Sequence, residues 1–133
     1  MFLDLKLIAS IATILAIPLV NGLSSSLQKV SGFVSTPTSP TMYVYIPTNK
    51  LASPPIVVAI HMCGGTGDGY FSQTQGYAQS ADKYGFIVIY PNHPDCWDVA
   101  STQTLTHNGG GDSQTIVNRS EEHTSELQSP VLS

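Results

Sequence analysis

The run IVVAI, residues 56–60, followed at once by HMCGGTG, residues 61–67, decides the fold class of this chain. Five successive apolar residues, most of them β-branched, suit a strand that is buried on both faces of a parallel sheet. A second run of this kind, FIVIY at residues 86–90, stands before Pro91. The two runs are therefore predicted to be buried strands, with a glycine-rich loop directly after the first.

The segment between the two runs has the spacing of an amphipathic helix. Its apolar residues recur on one helical face, and Gly85 follows where a helix favours a left-handed terminating residue. The members of this face are Tyr77, Ala78, Ala81 and Tyr84. Strand, loop, helix and strand in this order predict a βαβ unit, and therefore an α/β domain with a mainly parallel sheet.

Elements on either side extend this unit. Residues 42–46 alternate, with Met42, Val44 and Ile46 on one side and Tyr43 and Tyr45 on the other, which predicts a strand that Pro47 ends. A last helix is predicted after the glycines at 109–111. Asp112 or Ser113 would cap it, Ile116 and Val117 would begin its apolar face, and a foreign segment from residue 119 would interrupt it.

The two ends of the chain differ from the middle. Lys6 precedes a 14-residue uncharged stretch, Leu7 to Val20, which is shorter than the roughly 20 residues a membrane-spanning helix needs. Residues 1–22 are therefore predicted to be a signal peptide, so that the protein is secreted, extracellular and free of the membrane after cleavage. Residues 119–133 begin with RSEEHTSELQS, which resembles a translated sequencing adapter, and we interpret them as a foreign tail. The predicted domain is 23–118.

Composition and spacing exclude several classes of function. The net charge is −4 and no basic run occurs, which argues against nucleic-acid binding. Cys63 and Cys96 give no C-x-x-C spacing, so no metal site is expected. In the glycine loop, Tyr70 takes the place of the third glycine of the dinucleotide-binding fingerprint G-x-G-x-x-G. The sequence also has no G-K-[ST], the end of a nucleotide-binding P-loop. No cofactor is therefore predicted.

The loop after IVVAI has the position of the turn that supplies one oxyanion-hole amide in α/β-hydrolases. His61-Met62-Cys63 occupies that turn. By position, the backbone N–H of Cys63 would face the developing oxyanion, and the glycines that follow would let the chain approach a substrate closely. The side chain of Cys63 is not needed for that role.

Four phrases carry a resemblance to a known family: PPIVVAIHMCGG at 54–65, YAQSADKYGFIVIYP at 77–91, CWDV at 96–99 and LTHNGGGDS at 105–113. In this order they resemble family-one carbohydrate esterases, in particular fungal acetyl xylan esterases, with feruloyl esterases and polyhydroxybutyrate depolymerases as relatives. The resemblance implies the N-terminal strands and first crossover helix of a truncated α/β-hydrolase fold. It also implies a cofactor-free serine esterase that acts on acylated plant polysaccharide or on a small ester, with removal of acetyl groups from xylan through an acyl-enzyme as the leading activity.

The resemblance also implies a G-x-S-x-G nucleophile elbow followed by an acid and a histidine, and no G-x-S-x-G occurs in the 133 residues. His61, His93 and His107 precede the place of that elbow, so we interpret them as structural or rim residues. This chain alone is predicted to be inactive. A feruloyl esterase, a polyester depolymerase and a non-catalytic carbohydrate-binding module remain alternatives for the protein from which it derives.

Two further predictions concern the loops. Trp97 follows the carboxyl end of FIVIY, where it would either stack on a sugar or pack in the core. Cys63 and Cys96 both follow the carboxyl ends of strands expected to be neighbours, and an even cysteine count in a secreted protein predicts a disulfide between them. The alternative is that each pairs with another cysteine outside this sequence.

Overall fold

The computed structural model describes residues 22–30 and 41–128, so the predicted signal peptide lies outside the described residues except for Gly22. In chain order the elements are β1 (Gln28–Val30), β2 (Thr41–Tyr45), β3 (Ile56–Val58), α1 (Gly67–Gln73), α2 (Gly76–Tyr84), β4 (Ile87–Asn92), α3 (Thr102–Leu105) and α4 (Asp112–Gln128). Within these ranges, no helix has the length and apolar character needed to cross a bilayer.

The four described strands form one mixed sheet in the order β1-β2-β4-β3. β3 and β4 pair in parallel, as predicted, with Val57 opposite Val88. The pairs β1–β2 and β2–β4 are antiparallel. The expectation of a mainly parallel sheet is therefore corrected for the described residues. The alternation in residues 42–46 indicated which side chains are buried, but it carries no information on strand direction, and antiparallel strands commonly flank a parallel pair.

Alternation along β2 and β4 divides the core between the two faces of the sheet. Tyr45, Val88 and Tyr90 share one face with Ala78 and Ala81 of α2, and all five are fully buried. The opposite face carries the second set: Met42, Val44, Ile87 and Ile89, with Ile46 partly buried beside them. The predicted separation of residues 42–46 into two sides is confirmed. Fully burying one such aliphatic side chain stabilises the fold by about 1.5–3 kcal/mol.

Helix α2 has the predicted position, but its buried face is narrower than predicted. Ala78 and Ala81 are fully buried, whereas Tyr77 is 41% and Tyr84 60% exposed. The two alanines let α2 lie close to the sheet, and the large rings turn outward at the margins of the contact. The helix ends as predicted at Gly85, whose φ of 75° and ψ of 21° are left-handed.

Helix α1 was not predicted, because the glycines at 65, 67 and 69, the last two of them in its first turn, favoured a loop. Thr66 caps it, since its hydroxyl accepts a hydrogen bond from the Gly69 N–H at 3.1 Å. Asp68 in the first turn lies where a negative charge interacts favourably with the helix dipole. A cap followed by an acidic residue was the available sequence signal.

The ends of other elements also differ from the prediction. β3 stops at Val58 and Ile60 is 45% exposed, so only the start of IVVAI is strand. β4 continues through Pro91, which lies opposite Met42, to Asn92. The sequence predicted an interruption of the last helix at residue 119, but α4 runs on to Gln128. Its later residues include several good helix formers and no glycine or proline before Pro130.

Candidate functional site

Two loops leave the adjacent parallel strands β3 and β4 at the same edge of the sheet, which is where α/β sheets bind ligands. The first loop carries His61 and Cys63, and the second carries His93, Cys96 and Trp97. A disulfide joins Cys63 to Cys96 across a sequence separation of 33. The predicted pairing is confirmed, because parallel pairing of β3 with β4 brings the two loops together.

His61 links the two loops a second time. Only 3% of its surface is exposed, and its Nε2 lies 3.1 Å from the backbone nitrogen of His93. A backbone N–H can only donate, so Nε2 is the acceptor and the ring proton is on Nδ1. Nδ1 then donates to the carbonyl oxygen of Met62 at 2.7 Å. Both ring nitrogens are therefore used within the protein. His107, the third candidate, is exposed.

Trp97 packs against both histidines of the site. Its ring centroid lies 5.3 Å from that of His61 and 5.2 Å from that of His93. Its indole Nε1 is buried and has no hydrogen-bond acceptor in the described part of the chain. Trp97 therefore packs between the two loops and supports them. It does not line the cavity described below, so the predicted sugar-stacking role gains no geometric support.

Asp112, at the first turn of α4, holds the second loop through contacts of its carboxylate. It is 5% exposed, and its Oδ2 accepts a hydrogen bond from the Asp98 N–H at 2.7 Å. Its Oδ1 lies 3.7 Å from Nε2 of His93. Sequence reasoning gave Asp112 only the role of a helix cap, because the approach of α4 to a loop 14 residues earlier in the chain depends on tertiary packing.

Asp98 closes the turn that follows Trp97. Its Oδ1 accepts hydrogen bonds from the N–H groups of Ser101 at 2.9 Å and Ala100 at 3.1 Å. The hydrogen bonds from Ser101 and then Ala100 hold the pKa of the Asp98 carboxyl below its ordinary value. The carboxylate therefore orders the turn in its charged form.

A cavity of about 170 Å³ lies in front of the first loop. Residues 61–66 line it together with Tyr70 and Gln73 of α1. Tyr70 and Gln73 were missed by sequence reasoning because α1 itself was not predicted. Cys63 is on the cavity lining, and no acceptor for its backbone N–H is found among the described residues. The backbone N–H of this lining residue is therefore available to an acceptor from outside the described residues.

Gly67 lets α1 approach the sheet closely enough to form the cavity wall. A Cβ at this position would lie 2.7 Å from the carbonyl oxygen of Tyr90 and 3.2 Å from that of Pro91. The Gly67 N–H donates to Oδ1 of Asn92 at 2.8 Å. The start of α1 is thus fixed directly on the end of β4. Among the described residues, no cluster of three or more His, Cys, Asp or Glu could hold a metal ion.

Comparison with known proteins agrees with this arrangement. The chain matches no protein-family model. It is 54% identical over 98 residues to acetylxylan esterase A of Aspergillus ficuum, covering 71% of this chain and 32% of that protein. It is 55% identical over 98 residues to a probable acetylxylan esterase A of Aspergillus fumigatus, covering 71% of this chain and 26% of that protein.

A solved structure of an acetyl xylan esterase from Aspergillus awamori superimposes with a TM-score of 0.72 at 48% identity. That match covers 80% of this chain and 39% of the esterase. The chain therefore spans about a third of the length of the curated relatives it matches. The resemblance noted in the sequence is confirmed over that length: this chain is similar to part of the fungal acetylxylan esterases.

Proposed function

We propose that residues 23–118 form the oxyanion side of the active site of a secreted serine carboxylesterase that removes acetyl groups from xylan. The observation that carries this proposal is Cys63, a cavity-lining residue whose backbone N–H has no acceptor among the described residues. The names of the relatives favour acetyl groups over feruloyl groups and polyesters as the substrate.

The chemistry assigns a limited role to this segment. In a serine esterase the nucleophile adds to the ester carbonyl, and the carbonyl oxygen becomes an oxyanion that needs hydrogen-bond donors. The Cys63 N–H is one such donor. Collapse of the intermediate breaks the bond to the sugar oxygen, which takes up the proton that the serine hydroxyl gave up, and leaves an acetyl-enzyme. Water then hydrolyses the acetyl-enzyme to acetate and restores the serine hydroxyl. The sequence contains no G-x-S-x-G, so the nucleophile has to come from residues other than these 133.

An esterase chimera tests the proposal. Residues 23–118 replace the matching segment of the Aspergillus awamori enzyme, which supplies the remainder of the fold and serves as the positive control. We expect the chimera to release acetate from acetylated xylan faster than ferulate from methyl ferulate, and a serine-directed organophosphate to abolish both activities. A folded chimera that binds xylan without hydrolysis would support the binding-module alternative. Faster release of ferulate would favour the feruloyl esterase.

A further inference from the structure

We propose that His61 is a positioning residue for the oxyanion hole, acting through the carbonyl oxygen of Met62 on the N–H of Cys63. The inference rests on the proposed function and adds a residue to it. The Met62 carbonyl and the Cys63 N–H belong to the same peptide unit. Whatever fixes the carbonyl therefore also fixes the direction of the amide.

Two donors hold that carbonyl. Nδ1 of His61 lies 2.7 Å from the Met62 oxygen, and the Gly65 N–H lies 2.9 Å from it. None of the described peptide bonds is cis, so the N–H of the Met62–Cys63 unit points away from the oxygen that the two donors hold. Hydrogen bonds at the carbonyl polarise the peptide unit and make its N–H a stronger donor.

The surroundings of the His61 ring hold it in the orientation that makes the hydrogen bond to Met62. It is 3% exposed, it packs beside Trp97, and its Nε2 is held by the His93 N–H at 3.1 Å. That second bond also sets the tautomer, because an acceptor at Nε2 requires the proton at Nδ1. His93 thus determines that His61 donates to Met62.

A purely structural role would have a different signature, because His61 also ties the two loops together. The disulfide between Cys63 and Cys96 already makes that connection. If His61 served only to join the loops, its bond to His93 would be the important one. If it positions the amide, its bond to Met62 is the important one.

Two substitutions in the esterase chimera separate these bonds. His61→Asn places an amide donor near the position of Nδ1 and loses the contact with His93. His61→Gln places a carbonyl oxygen near the position of Nε2 and loses the donor to Met62. We expect His61→Asn to keep kcat within about threefold, and His61→Gln to lower kcat by about 10- to 100-fold with little change in KM, since a misplacement of about 1 Å costs up to 10²-fold.

The control is His107→Asn, which changes an exposed histidine and should alter neither kcat nor KM. Selective ¹⁵N-cysteine labelling gives a second readout, in which the Cys63 amide resonance should move in His61→Gln and stay near its original position in His61→Asn. Equal losses of kcat in the two variants, or a higher kcat in His61→Gln than in His61→Asn, would overturn the inference. A folded but inactive parent chimera would instead overturn the proposed function, and this inference with it.

Discussion

The hydroxyl of Tyr45 donates a hydrogen bond to Oδ1 of Asp82 at 2.7 Å and so connects strand β2 to helix α2. The same carboxylate accepts the backbone N–H of Ser24 at 2.9 Å and also the Ser24 hydroxyl. Partial burial raises the pKa of Asp82, but the hydrogen bonds from Ser24 and Tyr45 together outweigh burial and hold it below its ordinary value. The charged carboxylate thus anchors the segment that leads into β1.

Asp82→Asn in the esterase chimera should lower the free energy of unfolding at pH 7 by about 1 kcal/mol. This is a low value for hydrogen bonds to a charged group, because solvent still reaches the partly buried carboxylate. Since the folded pKa lies below the unfolded one, the contribution is present above the unfolded value and disappears as the pH falls below about 4. Urea unfolding at pH 7 and at pH 3 measures this difference. Asp95→Asn, at an exposed position, is the control. An equal loss at both pH values would contradict the assignment.

Gly67→Ala should destabilise the chimera by about 1–3 kcal/mol, because the added methyl group would press on two backbone carbonyls that cannot rotate away. Gly76→Ala is the matched control, since a Cβ at Gly76 meets nothing within 4 Å at the start of α2. It should be neutral or slightly stabilising. Thermal unfolding measures the melting temperatures of both variants. Equal melting temperatures would show that α1 can move away from β4.

Replacement of the Cys63 amide should reduce kcat strongly, while replacement of its side chain should not. Cys63→Pro removes the N–H and should lower kcat of the chimera by about 10²–10³-fold, the usual effect of losing one oxyanion-hole donor. Cys63→Ala also loses the disulfide but keeps the N–H, so it controls for the missing bond. Similar kcat values for the two variants would show that this amide does not contact the oxyanion.

The disulfide should stabilise the protein chiefly by restricting the unfolded chain. Replacing both Cys63 and Cys96 by serine should lower the free energy of unfolding by about 3 to 4 kcal/mol in the chain-entropy model. Chemical denaturation of the secreted chimera measures the loss. Mass spectrometry after alkylation without reductant should find both thiols blocked by their mutual bond. Two alkylated thiols in the unreduced protein would refute the pairing in solution.

Residues 23–133 expressed alone should show no ester hydrolysis and should aggregate or be degraded. The sequence holds no G-x-S-x-G, and within the described sheet β3 has β4 as its sole partner. An apolar strand with an open edge recruits other chains. Size-exclusion chromatography and a chromogenic acetyl ester test the two parts. A soluble monomer that unfolds cooperatively and hydrolyses the ester would contradict both.

The elements that could be predicted from the sequence are those in which local pattern and burial agree. Val57 and Val88 lie in apolar runs that became neighbouring parallel strands, and Gly85 ended α2 as predicted. Helix α1 was missed because glycines have low helix propensity, and the cap at Thr66 was outweighed by them. The antiparallel pairing of β2 with β4 was missed because hydrophobic alternation is the same in both directions.

The candidate site likewise contains features that the sequence predicted and features that it did not. Cys63 and Cys96 could be paired from the sequence, because both follow the carboxyl ends of strands that the pattern made neighbours. The contacts of His61 with Met62 and His93 depend on how side chains are oriented inside two loops. A hydrophobic pattern in the sequence does not indicate such orientations. The same holds for Asp112, which reaches the second loop only once α4 is packed.

The bond between Cys63 and Cys96 closes a covalent ring that contains α1, α2 and β4. A protease that cuts the exposed connection at Gln75, between α1 and α2, opens this ring without releasing a fragment. Both cut ends stay in one molecule until a reductant acts, so the strands β3 and β4 remain joined and able to pair again. For the secreted esterase proposed above, damage at this connection becomes loss of structure only when cleavage and reduction occur together.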